Sequence, residues 1–175
     1  MSFITSSKLL TLILVLNEKE QKILLGMKKR GFGVGKINGF GGKVEAGETI
    51  EEGARRELLE EAEIEAIDMT KVGVNMFTFE NDPVGLEVHI YVTKEFKGTP
   101  TETEEMKPEW YSYSDIPYSQ MWADDKVWIP LLLNNTRFMG HYHFSQDQAT
   151  VLYEKLNVNI HDDDLLERFS FEQIM

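Results

Sequence analysis

The sequence predicts an α/β protein in which a mixed β-sheet is sandwiched between helices, an α/β/α arrangement. Several segments alternate apolar and polar residues and are rich in β-branched and aromatic side chains, as strands are. Two further segments are predicted to be helices, and one of them is long and acidic. No internal repeat or low-complexity linker divides the 175 residues, so we expect one domain over residues 1–160 and an acidic tail over residues 161–175.

The first two strands are predicted at residues 9–16 and 22–28, around a polar turn at 17–21. A glycine-rich loop with a short strand near Asn38 precedes the acidic helix, residues 49–62. The remaining elements, in chain order, are strands at 72–80 and 86–94 joined by the turn Asn81-Asp82-Pro83, a strand at 110–113, a tight turn at 117–121, a helix at 126–134, and strands at 138–144 and 150–156.

The acidic helix carries the most informative charge pattern of the chain. Glu57, Glu60 and Glu61 stand at helical spacing i, i+3 and i+4, so three carboxylates share one narrow face. Ile50, Ala54 and Leu58 supply an apolar stripe that can anchor the helix. Like charges on one face repel one another, and a divalent cation would relieve that repulsion.

The glycine-rich segment before this helix, residues 31–43, allows close approach of a phosphate to the backbone. It contains no G-x-G-x-x-G frame that opens a helix. Gly42-Lys43 also lacks the upstream glycine and the following Ser or Thr of a P-loop. The loop and the acidic helix therefore have to be interpreted together.

Together they resemble the Nudix box, G-x5-E-x7-R-E-U-x-E-E-x-G-U, where U is a bulky apolar residue. The matching positions are Gly42, Glu48, Arg56, Glu57, Leu58, Glu60, Glu61 and Ile64. The resemblance implies the Nudix fold. Glu63 stands where the pattern has the glycine that ends the helix, so we expect the helix to end differently or to run slightly longer.

The resemblance extends over residues 9–144 and is to the animal MutT-type branch, which hydrolyses oxidised purine nucleoside triphosphates. Matching segments outside the box include residues 24–33, 104–108 and 121–125. It implies hydrolysis of substrates such as 8-oxo-dGTP, 2-hydroxy-dATP and O6-methyl-dGTP to a monophosphate and pyrophosphate. This would clear the nucleotide pool of mutagenic precursors of DNA. The alternatives are a Nudix hydrolase of another nucleoside diphosphate derivative, such as ADP-ribose, or a catalytically silent nucleotide-binding module.

The resemblance also implies a metal site with Mg²⁺ as cofactor and Mn²⁺ as a substitute, bound by hard oxygen ligands. The implied ligands are Gly41, Glu57, Glu60, Glu61 and Glu105. Glu57, Glu61, Glu105 and Arg56 are the implied catalytic set, in which Arg56 orients a carboxylate, Glu48 being the candidate. Glu105 is either a metal ligand or base, or a plain loop acid.

The candidate substrate-binding residues are Thr11, Lys28, Asn38, Phe40, Phe77, Phe79, Leu86, Trp122, Asp124 and Asp125. Trp122 can stack on a purine. Two adjacent carboxylates in a dry pocket cannot both ionise cheaply, so one of Asp124 and Asp125 should stay protonated and present a donor beside an acceptor. We also expect one of the two Asp residues to cap the following helix.

A net charge of −12 argues against binding to polymeric nucleic acid. Lys28, Lys29, Arg30 and Lys36 form a local basic cluster that can receive a free triphosphate, and Lys28 is the residue implied by the resemblance. We expect no membrane contact and a monomer. The absence of cysteine and of a signal pattern indicates the cytoplasm, with a minor mitochondrial or nuclear pool left open.

Two other segments allow two interpretations each. His141 and His143 lie on one side of a predicted strand. They are either surface residues or two ligands of a transition-metal site. The acidic tail, residues 161–175, either docks its apolar residues on the body or a partner, or remains disordered.

Overall fold

Ten β-strands and two α-helices form residues 4–160, which are the residues that this computed structural model describes. In chain order the elements are β1 (Ser6–Asn17), β2 (Lys22–Lys28), β3 (Ile37–Asn38), α1 (Ile50–Ala62), β4 (Glu65–Ala66), β5 (Thr70–Phe79), β6 (Asp82–Thr93), β7 (Phe96–Lys97), β8 (Met106–Ser112), α2 (Asp125–Leu133), β9 (Phe138–Phe144) and β10 (Val151–Val158). Two short 3₁₀ turns, Tyr113–Asp115 and Tyr118–Gln120, precede α2. The predicted acidic tail lies outside the described residues.

The described residues fall into two compact units. The first unit comprises residues 11–70 and 91–122, and the second comprises residues 4–10, 71–90 and 123–160. Among residues 4–160, no helix is long and apolar enough to cross a membrane.

In the first unit, β2 is the strand that connects the others. It pairs antiparallel with β1, with Val15 opposite Leu24, and also with β3 and β8. Gly26 faces both Asn38 of β3 and Pro108 of β8 in these registers. β4 and β7, of two residues each, form a separate small sheet.

The core of the first unit packs the apolar stripe of α1 against these strands. Ala54 and Leu58 are fully buried there, as the helical spacing predicts. The other members of this core are Ile13, Val15, Leu24, Phe40, Ala62, Ile64, Ala66, Tyr91 and Met106. Burial of this face fixes the rotation of α1 and so determines where its acidic residues point.

Helix α1 begins and ends with specific caps. The Thr49 hydroxyl accepts the Glu52 N–H at 3.1 Å, which satisfies one of the free donors of the first turn. At the other end Glu63 adopts a left-handed conformation, with φ of 58° and ψ of 31°, and its N–H donates to the Leu59 carbonyl at 3.0 Å.

The expectation that Glu63 changes the helix exit is therefore wrong. The helix ends after Ala62, and Glu63 takes the conformation that a glycine would take at that place. The buried side chain of Ile64 and the bond to Leu59 hold the chain in this exit, although a left-handed conformation is strained for any residue with a Cβ.

The strands β10, β9, β5 and β6 of the second unit are hydrogen-bonded neighbours in that order. β9 runs antiparallel to β10 and parallel to β5, with Phe77 opposite Tyr142. The prediction of a mixed sheet accompanied by helices is thus confirmed. The strands predicted at 138–144 and 22–28 have the observed bounds, whereas β1, β6 and β8 each begin before the predicted first residue.

Two local predictions in the second unit are wrong. The turn between β5 and β6 lies at residues 80–81, where Asn81 has φ of 64°, and Pro83 already belongs to β6. Asp124 occupies the N-cap position of α2, but its side chain makes no capping hydrogen bond. That carboxylate instead accepts the indole N–H of Trp128 at 2.6 Å.

The histidines of β9 are also placed differently from the surface interpretation. His141 is buried because β9 is an interior strand, flanked by β5 and β10, and because Tyr153 packs edge-on against its ring. The Thr78 hydroxyl lies 2.7 Å from His141 Nε2 and 2.8 Å from His143 Nδ1. Burial lowers the pKa of His141 to about 4, with His143 and Lys155 adding smaller repulsions, so the ring is neutral at pH 7.

Candidate active site

Glu61 is the most deeply buried carboxylate on the acidic face of α1. Its Oε1 accepts the N–H of Gly41 at 2.7 Å, and Lys28 Nζ lies 3.7 Å from its Oε2. Burial raises the pKa of Glu61 to about 7, although the bond to Gly41 and the charge of Lys28 act in the opposite direction. The arrangement leaves a buried acid whose negative charge is only partly compensated.

Glu57, one turn earlier, lies against the glycine-rich loop. A Cβ at Gly42 would stand 2.6 Å from Glu57 Oε1, and a Cβ at Gly41 would collide with the Thr11 carbonyl. Gly41 must be glycine because a Cβ there would meet the backbone of β1, whereas a Cβ at Gly42 would displace the Glu57 carboxylate. The pKa of Glu57 is raised by burial and lowered again in part by Arg56.

Arg56 connects three of the acids. It donates to both carboxylate oxygens of Glu48, at 3.1 and 2.8 Å, and to Glu57 at 3.0 Å and Glu60 at 3.3 Å. The contact that the prediction requires between Arg56 and Glu48 is present. Arg56 also holds the pKa of Glu48 down at about 2, and the Glu48 carboxylate accepts the Glu45 N–H at 2.7 Å to fix the loop before α1.

Glu60 and Glu105 are the more exposed of the predicted metal ligands. The Glu60 side chain is 57% exposed, and Glu105 Oε1 accepts N–H groups of Arg30. Among residues 4–160, no three Asp, Glu, His or Cys side chains converge closely enough to hold a metal ion in this conformation. Arg30 contacts Glu105 and Arg56 contacts Glu60.

The predicted basic cluster is divided among different partners. Lys28 faces Glu61, while Lys29 forms an ion pair with Glu102 at 2.7 Å. Lys36 lies over the ring of Trp122, 4.9 Å from its centroid. Lys28 is thus the basic residue that the structure places beside the buried acid of α1.

A cavity of about 720 Å³ opens at the end of the sheet of the first unit. Its lining residues are Lys29, Arg30, Glu60, Glu63, Glu102, Thr103, Glu104 and Glu105. The cavity is therefore lined almost entirely by charged side chains, and one acid of α1 reaches it.

Trp122 has one further aromatic contact that the sequence did not indicate. Phe32 stacks on it with ring centroids 5.2 Å apart, and a Cβ at Gly33 would stand 3.4 Å from its indole. The position of Phe32 between two glycines could have indicated such a contact. An apolar side chain in a glycine-rich loop is not buried by its own strand or helix, so it is available to pack elsewhere.

Three other predicted substrate residues of the first unit have local partners. Thr11 lies in the interior of β1, where its N–H donates to the Gly42 carbonyl at 2.9 Å. Asn38 accepts the Gly39 N–H at 2.8 Å through its side-chain oxygen. Phe40 is fully buried in the core, so its ring has no exposed face that a substrate could contact. This corrects the prediction that the Phe40 side chain binds substrate.

The second unit holds the adjacent acids Asp124 and Asp125, each only 2% exposed. The expectation of a dry environment for both is confirmed. Burial raises the pKa of Asp124 to about 6, against the opposing effect of hydrogen bonds from Trp128 and Asp125. Sharing of a proton between two neighbouring buried carboxyl groups is the expected consequence.

Aromatic side chains of β5 and β9 accompany these acids in the second unit. Phe77 stacks on Tyr142 with centroids 5.8 Å apart, and Phe79 stacks on Phe144 at 5.9 Å. The Tyr142 hydroxyl is buried and has no hydrogen-bond partner among residues 4–160. Burial raises the pKa of Tyr142, and the charges of Asp124 and Asp125 raise it further. Leu86, on β6, is half-buried.

Tyr142, Phe144 and Trp128 were not predicted as site residues. Tyr142 and Phe144 could have been inferred from the alternation of β9, because it places both on the face opposite the two histidines. Trp128 is one helical turn after Asp124, a spacing at which side chains meet, so its contact was also accessible to pattern reasoning.

The predicted site residues are thus distributed over the two units. The first unit brings together the acids of α1, Gly41, Lys28, Arg56 and Glu105, and it also contains Thr11, Asn38, Phe40 and Trp122. The second unit contains Phe77, Phe79, Leu86, Asp124 and Asp125.

This chain is similar to known proteins over most of its length. The model of the NUDIX domain matches residues 8–132. A mouse protein named oxidized purine nucleoside triphosphate hydrolase is 52% identical over 148 residues, which cover 85% of this chain and 93% of the mouse protein. A zebrafish (Danio rerio) protein of the same name is 49% identical over 87% of this chain and 96% of its own. A MutT protein from Bacillus halodurans has a similar fold, with a TM-score of 0.75 and 25% identity over 86% of this chain and 97% of its own.

Proposed function

Because this chain belongs to the NUDIX domain family, we propose that it is an enzyme that hydrolyses oxidised purine nucleoside triphosphates to a nucleoside monophosphate and pyrophosphate. The observation that carries the proposal is the buried Glu61 carboxylate, held between Gly41 and Lys28 on the helix face that also carries Glu57 and Glu60. The names of the mouse and zebrafish relatives supply the substrate class. The biological result would be removal of mutagenic precursors from the nucleotide pool.

Hydrolases of this family generally need a divalent metal ion, and the residues of this chain fit one. The carboxylates of Glu57 and Glu61 are both largely buried beside the glycine-rich loop, and burial raises the pKa of each. Carboxylate and carbonyl oxygens are the donors that Mg²⁺ prefers. We propose Mg²⁺, with Mn²⁺ as a substitute, held by Glu57, Glu60, Glu61, Glu105 and the Gly41 carbonyl.

The bound ion would stabilise charge on the phosphate oxygens and lower the pKa of a bound water. The chain itself supplies positioning. Arg56 fixes Glu48 and Glu57, the Gly41 N–H fixes Glu61, and Lys28 offers its ammonium to a phosphate. Phosphoryl transfer depends mostly on such positioning and charge stabilisation, so this arrangement suits the reaction.

For base recognition we propose Trp122 as a stacking surface and the pair Asp124–Asp125 as the hydrogen-bonding edge. The raised pKa of Asp124 supports one shared proton near neutral pH, which gives one donor and one acceptor. A proton that can sit on either carboxyl group would let the pair match both the 8-oxo-guanine edge and the 2-hydroxy-adenine edge. Phe77, Phe79 and Leu86 are the proposed apolar contacts of the base.

The proposal is tested by pyrophosphate release with Mg²⁺ from 8-oxo-dGTP, 2-hydroxy-dATP, O6-methyl-dGTP, dGTP, ATP and ADP-ribose. We expect one or more modified purines to be preferred, and the Glu61→Gln variant to lose that activity. Activity confined to unmodified nucleotides or to ADP-ribose would contradict the proposed substrate class. No activity on any member of the panel would contradict the enzyme assignment.

We also propose that the enzyme acts as a monomer in the cytoplasm. The absence of cysteine in all 175 residues agrees with a reducing compartment. Light scattering coupled to size exclusion tests the monomer, since a mass near twice 20.2 kDa would contradict it.

A further inference from the structure

Arg30 and Glu105 meet at one end of the sheet of the first unit. β2 ends at Lys28, which pairs with Met106, the first residue of β8. One residue further out, the Lys29 N–H donates to the Glu105 carbonyl at 2.8 Å. This register holds the two side chains together: Arg30 Nε donates to Glu105 Oε1 at 2.7 Å, and its Nη2 contacts the same oxygen.

The neighbouring basic residue has a different partner. Lys29 donates to the Glu102 carboxylate at 2.7 Å and to the Thr103 carbonyl at 2.8 Å. Both Lys29 and Arg30 line the charged cavity of about 720 Å³, together with Glu105 and Glu60. Two cations of equal charge therefore face the same cavity, but only Arg30 engages Glu105.

The Arg30–Glu105 contact conflicts with the proposed role of Glu105 in metal binding. While Arg30 holds Oε1, that oxygen is not available to a cation. The Thr103 hydroxyl donates to the Glu61 carbonyl at 2.9 Å and accepts the Glu105 N–H at 3.3 Å, so Glu105 lies beside the end of α1 that carries the buried carboxylate. A divalent cation arriving there would compete with Arg30 for Glu105.

A triphosphate would resolve this competition. The guanidinium fork of Arg30 matches phosphate oxygens as well as carboxylate oxygens, and phosphate carries the greater charge. A metal ion and a triphosphate that arrive together can therefore separate the pair from both sides, the metal ion taking Glu105 and the phosphates taking Arg30.

We propose that Arg30 is an exchangeable counter-ion, which pairs with Glu105 in the ligand-free enzyme and transfers to the terminal phosphates of the substrate when the metal ion binds Glu105. This inference rests on the proposed function. It assigns Arg30 as a substrate-binding residue and the charged cavity as the site of the terminal phosphates.

The exposure of the pair suits such an exchange. The side chains of Arg30 and Glu105 are 59% and 32% exposed, so water screens their attraction. Exposed ion pairs contribute little net stability, and the pair can be separated without loss of the fold. A buried pair in the same place would oppose substrate binding.

The exchange is tested by two binding measurements without turnover. Mn²⁺ alone is titrated into the enzyme and followed by electron paramagnetic resonance, and inorganic pyrophosphate is titrated by calorimetry in the presence of Mn²⁺. Arg30→Gln should bind Mn²⁺ roughly two- to fivefold more tightly, because Glu105 is released. The same variant should bind pyrophosphate about tenfold more weakly, because a charged donor pair is lost.

Lys29→Gln is the matched control, since it removes the same charge from the same cavity but leaves Arg30 on Glu105. Its Mn²⁺ affinity should rise less than that of Arg30→Gln, because it removes a nearby positive charge without releasing Glu105. Equal Mn²⁺ affinities in Arg30→Gln and Lys29→Gln would overturn the exchange, as would unchanged pyrophosphate binding in Arg30→Gln. Glu105→Gln offers a second route, because it should weaken Mn²⁺ binding while pyrophosphate still binds to the freed Arg30.

These outcomes are distinct from failure of the proposed function. If the unmodified enzyme hydrolyses no nucleoside triphosphate, the proposed function fails whatever Arg30 does. If it hydrolyses them and Arg30→Gln leaves both affinities unchanged, the function stands and only the exchange is contradicted.

Discussion

The Gly41 N–H donates to the buried Glu61 carboxylate at 2.7 Å and thereby fixes the glycine-rich loop to the acidic face of α1. The two residues are twenty positions apart in the chain, and their contact joins the two halves of the motif. The same carboxylate faces Lys28 and lies in a site where burial raises its pKa to about 7. The chemistry proposed for this enzyme depends on that one side chain more than on any other.

Glu61→Gln should reduce hydrolysis by about 100-fold or more while the fold persists. The amide oxygen can still accept from Gly41, so the loop stays in place, but the charge that would hold a cation is gone. Steady-state kcat/KM for the preferred substrate and a thermal melt measure the two effects. Glu52→Gln is the matched control on the exposed first turn of α1, and a comparable loss there would contradict the specific role of Glu61.

Glu63→Gly should stabilise the protein by about 0.5 to 1 kcal/mol, because glycine adopts the left-handed exit of α1 without strain. Metal affinity should not change, since Glu63 is not among the proposed ligands. Chemical denaturation and Mn²⁺ titration measure these two quantities. Glu65→Gly, in the extended strand β4, should destabilise instead, and equal effects of the two substitutions would refute the strain argument.

His141→Gln should remove an acid-sensitive component of stability. The folded pKa of His141 is lowered to about 4, below the ordinary value of 6.5, so the unfolded chain binds the extra proton and stability is lost as pH falls from 6.5 towards 4. The full loss is on the order of 2 to 3 kcal/mol. The free energy of unfolding, measured between pH 7 and 4.5, should decline less in the variant than in the unmodified protein.

His143→Gln is the control for the His141 prediction, because it removes a contact with the same Thr78 hydroxyl but keeps the buried ring. The acid-sensitive component should remain in this variant. An identical pH dependence in His141→Gln and the unmodified protein would show that the buried ring does not cause it.

Asp125→Asn should change the preference between modified bases. The amide fixes a donor at one of the two buried positions and removes the shared proton. We expect the ratio of kcat/KM for 8-oxo-dGTP and 2-hydroxy-dATP to shift by about tenfold, the effect of one hydrogen bond to a buried partner. An unchanged ratio would contradict the proton-sharing hypothesis, and Asp115→Asn, at an exposed position, serves as control.

The sequence predicted best the elements that local patterns specify. Alternation of apolar residues was enough for β9, and the apolar stripe with Thr49 at its start was enough for α1. The resemblance to the Nudix box likewise implied a contact of Arg56 with a carboxylate, and Glu48 is one that it contacts. Two-residue strands such as β4 and β7 are too short to show any periodicity, so they could not be predicted.

The errors arose where tertiary contacts decide the outcome. Glu63 keeps a glycine-like conformation because Leu59 and Ile64 hold the helix exit, which no local preference indicates. His141 is buried because β9 has a neighbour on each side, and strand order was not accessible from the pattern of one strand. The Arg30–Glu105 pair joins residues 75 positions apart and depends on the register of β2 and β8.

The most direct test of the proposed function is the ratio of kcat/KM for 8-oxo-dGTP and unmodified dGTP, measured with Mg²⁺ on the unmodified enzyme. We predict a preference for the oxidised base of at least about tenfold, the discrimination that one hydrogen bond to a buried partner provides. Equal values for the two nucleotides, with 2-hydroxy-dATP and O6-methyl-dGTP no better than dGTP, would contradict the assignment of this chain as a hydrolase of oxidised purine nucleotides.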